Sequence, residues 1–228
     1  MADDVHYTRL TATTGTFSEM MQGFGVVTVM NAKVYAFDSA IMNGRKTPYE
    51  TIAALKNPLC ELDTLKISNI TVEGPSKTVS GGQYANPLIK FGKTARLEMQ
   101  DALGHIDAID NLCGGIAERT GTATGDYIGL HIGEDFNKAV TIVGDTFFIS
   151  KETQQQVPVK IIFYQFMPDS IFNLTQDAEG DAAVFDMNGD LLATEVKIGS
   201  TNGKDISHSL FYSILDPSHE VQGDPGSF

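Results

Sequence analysis

Residue types able to do chemistry are present in this chain, but their spacing builds no reaction centre. The five histidines, His6, His105, His131, His208 and His219, stand in unrelated contexts. None falls in an HExxH or HxH pattern, the kind of spacing that brings two imidazoles to one metal. Cys60 and Cys113 are far apart and belong to no paired motif, so a zinc site or a disulfide framework lacks its ligands. Both read as reduced thiols in a packed interior. Asp186, Asn188 and Asp190 in DMNGDL open like a calcium loop. The match then fails, because the glycine is Gly189 instead of the sixth residue, and the twelfth position is Lys197 where a bidentate Glu is needed. An Asn-Gly-Asp hairpin turn is the plainer expectation. No GxxxxGKS or GxxxxGKT phosphate loop occurs, and no GxSxG elbow or Cys–His pairing offers a covalent nucleophile. The expectation is a protein that is not an enzyme and needs no cofactor or metal.

Charge carries more information. The 228 residues include 16 basic and 29 acidic side chains, a formal charge of -13. Binding nucleic acid depends on neutralising phosphates with Lys and Arg, so a basic nucleic-acid surface is excluded as the main activity. A large negative charge keeps an abundant protein soluble. The acid is also unevenly placed. Asp169, Asp177, Glu179, Asp181, Asp186, Asp190 and Glu195 follow one another with no Lys or Arg between them. That run reads either as solvated turns or as an acidic strip facing a channel or a basic partner.

The elements that must carry these groups are mostly strands. Hydrophobic content of 42% supports a packed core, and 22 glycines among short β-branched runs point to a turn-rich β protein. From Thr94, Ala95, Leu97 and Met99 alternate with Arg96, Glu98 and Gln100, which predicts a strand with one buried face and one polar face. Asp101 then stands where a helix N-cap would, ahead of Leu103, Ile106, Ile109 and Leu112, with Gly114-Gly115 as the stop. A first strand or strand pair is expected over 25–37, and a short helix over 49–56 behind Thr47-Pro48. The strand over 65–73 changes apolar phase partway, which predicts a bulge near Ser68-Asn69. A long glycine- and proline-bearing loop follows over 74–85, and Arg119 to Asp126 reads as a small-residue turn. Further strands are expected over 127–132, 139–143, 146–150, 181–192 and 209–215. Val157 to Phe166 is apolar on both faces and should be a central strand covered on both sides. Eight to ten strands with one or two helices favour a β-sandwich or barrel. No apolar run approaches the roughly 20 residues of a membrane span, and MADDVHYTRL has neither part of a signal peptide.

Two segments resemble the tail tube (major tail) proteins of tailed bacteriophages and the tube proteins of related contractile injection systems. They are GGQYANPLIKFGKTARLEMQDALGHIDAIDNLCGG, from Gly81 to Gly115, and VPVKIIFYQFMPDSIFNLTQDAEGDAAVFDMNGDLL, from Val157 to Leu192. The resemblance implies a mainly β, sandwich- or barrel-like tail-tube fold with one or two short flanking helices. Residues 1–25 would be an N-terminal arm, 26–215 a single tube domain and 216–228 a flexible tail. It further implies hexameric rings stacked into the virion tail, assembled in the host cytoplasm, around a channel that houses a tape-measure protein and later passes double-stranded DNA without binding it specifically. A sheath is a further implied partner. On this footing Gly81, Gly82, Gln83, Tyr84, Asn86 and Pro87, with the N-terminal arm, make contacts between subunits or rings. Asp177, Glu179, Asp181, Asp186 and Asp190 line or flank the lumen. The competing expectations are another non-catalytic virion part, such as a baseplate or capsid decoration protein, and a glycan-binding β-sandwich. The last usually stacks sugars on exposed Trp, which is absent here, although seven Tyr remain.

Overall fold

A computed structural model describes residues 17, 21, 24–26, 29–74, 76–78, 88–90, 92–101, 106–112, 115–121, 126–132, 138–151, 154–169, 174–175, 184–201 and 203–219. Among them strands dominate. In chain order they begin with β1 (Phe24–Val26), β2 (Val29–Ala36), β3 (Cys60–Glu73), β4 (Ser76–Thr78) and β5 (Leu88–Lys90). Next come β6 (Thr94–Asp101), β7 (Gly115–Arg119), β8 (Tyr127–Ile132), β9 (Val140–Ser150) and β10 (Gln156–Pro168). The last are β11 (Leu174–Thr175), β12 (Val184–Leu191), β13 (Thr194–Thr201), β14 (Lys204–Leu210) and β15 (Tyr212–Leu215). Among the described residues they are accompanied by the short α-helices α1 (Pro48–Ala54) and α2 (Ile106–Leu112) and by a 3-10 turn over Pro217–His219.

Local chemistry explains the elements that the sequence announces. Thr47 caps α1: its hydroxyl accepts from the Glu50 amide while the Glu50 carboxylate accepts from the Thr47 amide, and Pro48 occupies the first turn. The helix stops at Ala54, two residues short of the predicted end, just before Asn57 turns into positive φ at 56°. In β6 the expected alternation holds. Ala95, Leu97 and Met99 are buried, whereas Arg96, Glu98 and Gln100 stand on the other face. The register between β3 and β6 slips between Ile67 and Asn69, so the phase change at Ser68-Asn69 is a bulge, and it returns Ile70 to the core.

Nine strands form one antiparallel sheet in the order β1, β9, β2, β3, β6, β12, β10, β15, with β11 beside β12. Because β9 also pairs with β10, the sheet curls back toward its own start, giving a sandwich-like β fold. The return from β12 to β10 rests on three pairs: Phe166 with Leu191, Met167 with Asp190, and Pro168 with Gly189.

Two cores lie on opposite faces of this sheet. The first gathers Leu62, Leu65, Leu97, Met99, Ile142, Phe148, Phe163 and Phe166, with Ile109 and Leu112 of α2 packed into it. The second joins Val143, Ile162, Tyr164 and Leu215 to Val196 of β13 and to Ile52 and Leu55 of α1. Successive residues of β10 serve different cores: Ile161 and Phe163 the first, Ile162 and Tyr164 the second. That is why its apolar run is unbroken, as expected for a strand covered on both sides.

Several expectations fail for identifiable reasons. Asp101 is not an N-cap: it ends β6, opposite Leu65 and Phe185, and the described part of α2 begins at Ile106. The strands expected over 139–143 and 146–150 are one, β9. Gly144-Asp145 looked like a break, yet both residues pair with β2 on one side and β10 on the other. Asn188-Gly189-Asp190 is not a hairpin turn but mid-strand in β12, facing Glu98, Leu97 and Arg96 of β6. Short β4 falls within the stretch 74–85 expected as a loop, and no strand is expected from the sequence at β5, β7, β11, β13 or residues 204–208 of β14. The single strand expected over 209–215 is divided between β14 and β15.

Gly189 is where the closing strands meet. A Cβ there would lie 2.3 Å from the Met167 carbonyl oxygen and 2.7 Å from Phe166 Cε2, so only a residue without one lets β12 reach β10. Gly189→Ala is expected to cost about 3 kcal/mol in urea unfolding. At Gly199 no atom lies within 4 Å of a Cβ; Gly199→Ala should change stability by less than about 0.5 kcal/mol. Burial pushes the Tyr164 phenol up to about 12, with its hydroxyl 2.7 Å from Ser213 Oγ. The unfolded phenol ionises near 10. The native protein therefore holds the extra proton between those values, and its stability falls as pH rises from about 10 to 12. Tyr164→Phe should flatten that alkaline dependence, read as denaturation midpoint against pH.

Candidate functional site

One polar feature that the sheet positions is the face of β3, β6 and β12 turned away from the first core. Register lines its residues up in rows. Thr71, Arg96 and Asp190 share one row, Asn69, Glu98 and Asn188 the next, and Lys66, Gln100 and Asp186 occupy the register positions of a third. Since side chains alternate across a strand, every second residue of three adjacent strands projects to the same side. Asn69 and Asp190 are exposed, and Thr71, Arg96, Glu98, Gln100, Asp186 and Asn188 are half-buried.

Arg96 organises this face. Its guanidinium contacts Asp169, just past the end of β10, and lies 3.4 Å from Asp190 on β12. Hydrogen bonding to Asp169 holds the Arg96 guanidinium above its ordinary range. Two backbone bonds run beside it: the Asp169 amide donates to Asn188 O at 2.7 Å, and the Leu192 amide to Gln165 O at 2.9 Å. Arg96 thus ties β6, β10 and β12 together at the point where the sheet closes. The acidic run from Asp169 to Glu195 contains no cation of its own, but the fold supplies one from a strand more than seventy residues earlier. Sequence reasoning placed Arg96 on the polar face of β6 and missed this role.

Of the acidic residues expected at a lumen, Asp186 and Asp190 share this face, and Asp190 is paired with Arg96. Asp177, Glu179 and Asp181 lie outside the described residues, as do Gly81, Gly82, Gln83, Tyr84, Asn86 and Pro87. Pairing of Ser76 with Lys90 through Thr78 with Leu88 brings together the two ends of the segment that carries those last six. Of the expected N-terminal arm, Phe17 packs against the first core.

A second polar cluster fixes the β7–β8 hairpin. Asp107 on α2 accepts from Arg119 Nη2 at 2.6 Å and from the Tyr127 hydroxyl at 2.5 Å, and the Arg119 guanidinium lies 4.9 Å from the Tyr127 ring centre. Hydrogen bonding to Asp107 raises the Tyr127 phenol above its usual range. Among the described histidines, His131 lies 3.1 Å from Glu118, and His219 lies 3.4 Å from Asp216. Among the described residues no three His, Cys, Asp or Glu side chains come together as metal ligands, and no helix is long and apolar enough to cross a membrane.

Because Arg96 is 43% exposed, water screens its ion pairs, and Arg96→Gln should lower global stability by no more than about 1 kcal/mol. Its effect should be local: faster hydrogen exchange at the Asp169 and Leu192 amides, with β9 amides unchanged. Equal acceleration across the sheet would contradict the clamp.

Comparison with known proteins adds a family likeness. No curated protein matches the chain. Among solved structures, a chain of the cryo-EM structure of the anti-feeding prophage (AFP) baseplate, 6-fold symmetrised, aligns with a TM-score of 0.39 at 9% identity, over 84% of this chain and 95% of that one. Residues 120–204, which run from the β7–β8 turn through β13, match the YomU/Tube protein family.

Proposed function

We propose that this protein is a structural tube protomer of a phage tail or related contractile injection system. Hexameric rings of it stack into a hollow conduit for a tape-measure protein and DNA. The match of residues 120–204 to the YomU/Tube family is the observation that carries this reading. It agrees with a mainly β chain in which the chemistry-bearing side chains are spent on holding strands together. The β3–β6–β12 face suits the wall of such a channel. It is polar and sheet-supported, and its rows carry Glu98, Asp186 and Asp190 against Arg96 and Lys66, a small excess of acid. Like charge there repels DNA phosphates and lets the polymer slide without sticking. The segment around Gly81–Pro87, the N-terminal residues and exposed strand edges would meet neighbouring subunits, which turns edges into interface.

Negative-stain microscopy of the purified full chain tests the assignment: hollow tubes or stacked six-fold rings are expected, and a protein that stays monomeric at high concentration overturns it. In an assembled tail, Asp181→Lys with Asp186→Lys should leave the tube intact and slow DNA ejection. Unchanged ejection kinetics would sink the channel-wall role of these carboxylates.

A further inference from the structure

Beside the short β4–β5 pair, two hairpins stand apart from the main sheet, β7–β8 and β13–β14, each a separate two-stranded sheet. They share a device. In β8, Gly129 pairs with Glu118 and Tyr127 with Arg119, leaving Ile128 as the extra residue of a bulge. In β13, Lys197 pairs with Ser207 and Gly199 with Ile206, leaving Ile198 in the same position. A bulge re-aims the side chain it carries. Ile128 is 58% exposed and Ile198 54%, the two most exposed large apolar side chains among the described residues. Leu130 and Ile116 on the first hairpin and Ile206 on the second are exposed as well. Two-stranded ribbons are marginal alone, and these two are anchored differently. α2 holds β7 from Gly115, packed on Ile109, through the Ala117 amide on Asp110, whereas β13–β14 is held at its base. Asp107 staples β7–β8 to α2. The base of β13–β14 is held by burial of Thr194 and Val196, by the Lys197 amide on Lys46 O at 3.1 Å and by the Ser207 hydroxyl on Gly44 O at 2.7 Å. Past that base the hairpin runs exposed through Ile198 to a turn at Gly203, whose φ is 73°.

The outer end of β13–β14 is opposite in charge to the β7–β8 hairpin. In a chain of net charge -13, β13–β14 carries Glu195 near its base and Lys197 paired with Asp205 at 2.7 Å, which leaves Lys204, beside the turn, as the positive charge of its outer end. The β7–β8 hairpin and α2 together carry Asp107, Asp110, Glu118 and Asp126 against Arg119 alone.

We propose that the β13–β14 hairpin of one copy docks on the β7–β8 hairpin of the next. Ile198 and Ile206 cover Ile128 and Leu130, and Lys204 approaches the carboxylates Glu118 and Asp126. The contact joins two different surfaces, so it propagates head to tail and closes into a ring or continues as a filament. It rests on the tube assignment and names surfaces that would build it.

Ile206→Cys and Ile128→Cys are prepared separately in the full chain, with the wild type controlling for its own Cys60 and Cys113. A short bis-maleimide is expected to give covalent dimers in the mixture of the two variants and not in either alone. Equal dimer yield from each variant alone, or none from the mixture, overturns the docking. Ile128→Asp and Ile206→Asp, both at exposed positions and each checked for unchanged melting, should weaken association about tenfold or more in sedimentation. Lys204→Glu should do the same and be rescued by Asp126→Lys. If the Asp variants form rings or tubes like the wild type, the docking is wrong while the tube assignment stands. A mixture of the Cys variants that does not cross-link, together with a wild type that does not assemble, removes both.

Discussion

The fold depends on a steric constraint at one residue. The sheet curls back only if β12, already bonded to β6, also comes within hydrogen-bonding distance of the end of β10, and three residue pairs make that junction. At Gly189 the strands approach so closely that a single methyl group would overlap a backbone carbonyl and the Phe166 ring. Once the junction forms, Phe166 and Leu191 are buried against the first core. Burying each such side chain contributes roughly 1.5–3 kcal/mol, an upper figure because the unfolded chain is itself partly collapsed. Enclosure of the first core follows from that contact.

Around the junction the polar groups follow a consistent electrostatic logic. Arg96 brings one positive charge to Asp169 and Asp190, so the strands that close the sheet are not driven apart by their own carboxylates. Each pair is partly solvated and weak alone. Their importance lies in position, because they bridge the end of β10 to β6 and β12 where few backbone pairs do so. The Asp107 cluster works the same way at α2, orienting a hairpin that has little core of its own. In both places a carboxylate–arginine contact sets geometry, and buried apolar area supplies the stability.

Much of the fold was legible because it is local. The capping box at Thr47 and Glu50, the alternation in β6 and the bulge after Ile67 each need only a few consecutive residues to express themselves. The unbroken apolar run of β10 announced two covered faces, and the two cores supply them. Misreadings cluster where a local signal met a long-range partner. Asn188-Gly189-Asp190 has the composition of a turn, yet pairing on both sides holds it extended. Gly144-Asp145 looks like a break for the same reason and is likewise held by strands on both edges. Asp101 offered a cap, but the ladder to Leu65 and Phe185 claimed its backbone first. Tertiary pairing outweighs intrinsic preference wherever both edges of a segment find partners.

By itself the amino-acid sequence determined the class of structure: a mainly β chain, acidic, with motifs for no familiar reaction and a polar alternation on one strand. Those properties are set by composition and by periods of a few residues, which any conformation of the chain must carry. Only the tertiary structure decided how the pieces combine. It made the glycine of DMNGDL a point of closest approach, lent the acidic run its arginine from β6, and turned bulge residues of two separate hairpins into exposed isoleucines. Each of these depends on residues distant in sequence being brought within a few ångströms, and the spacing of residues along a chain does not encode that directly.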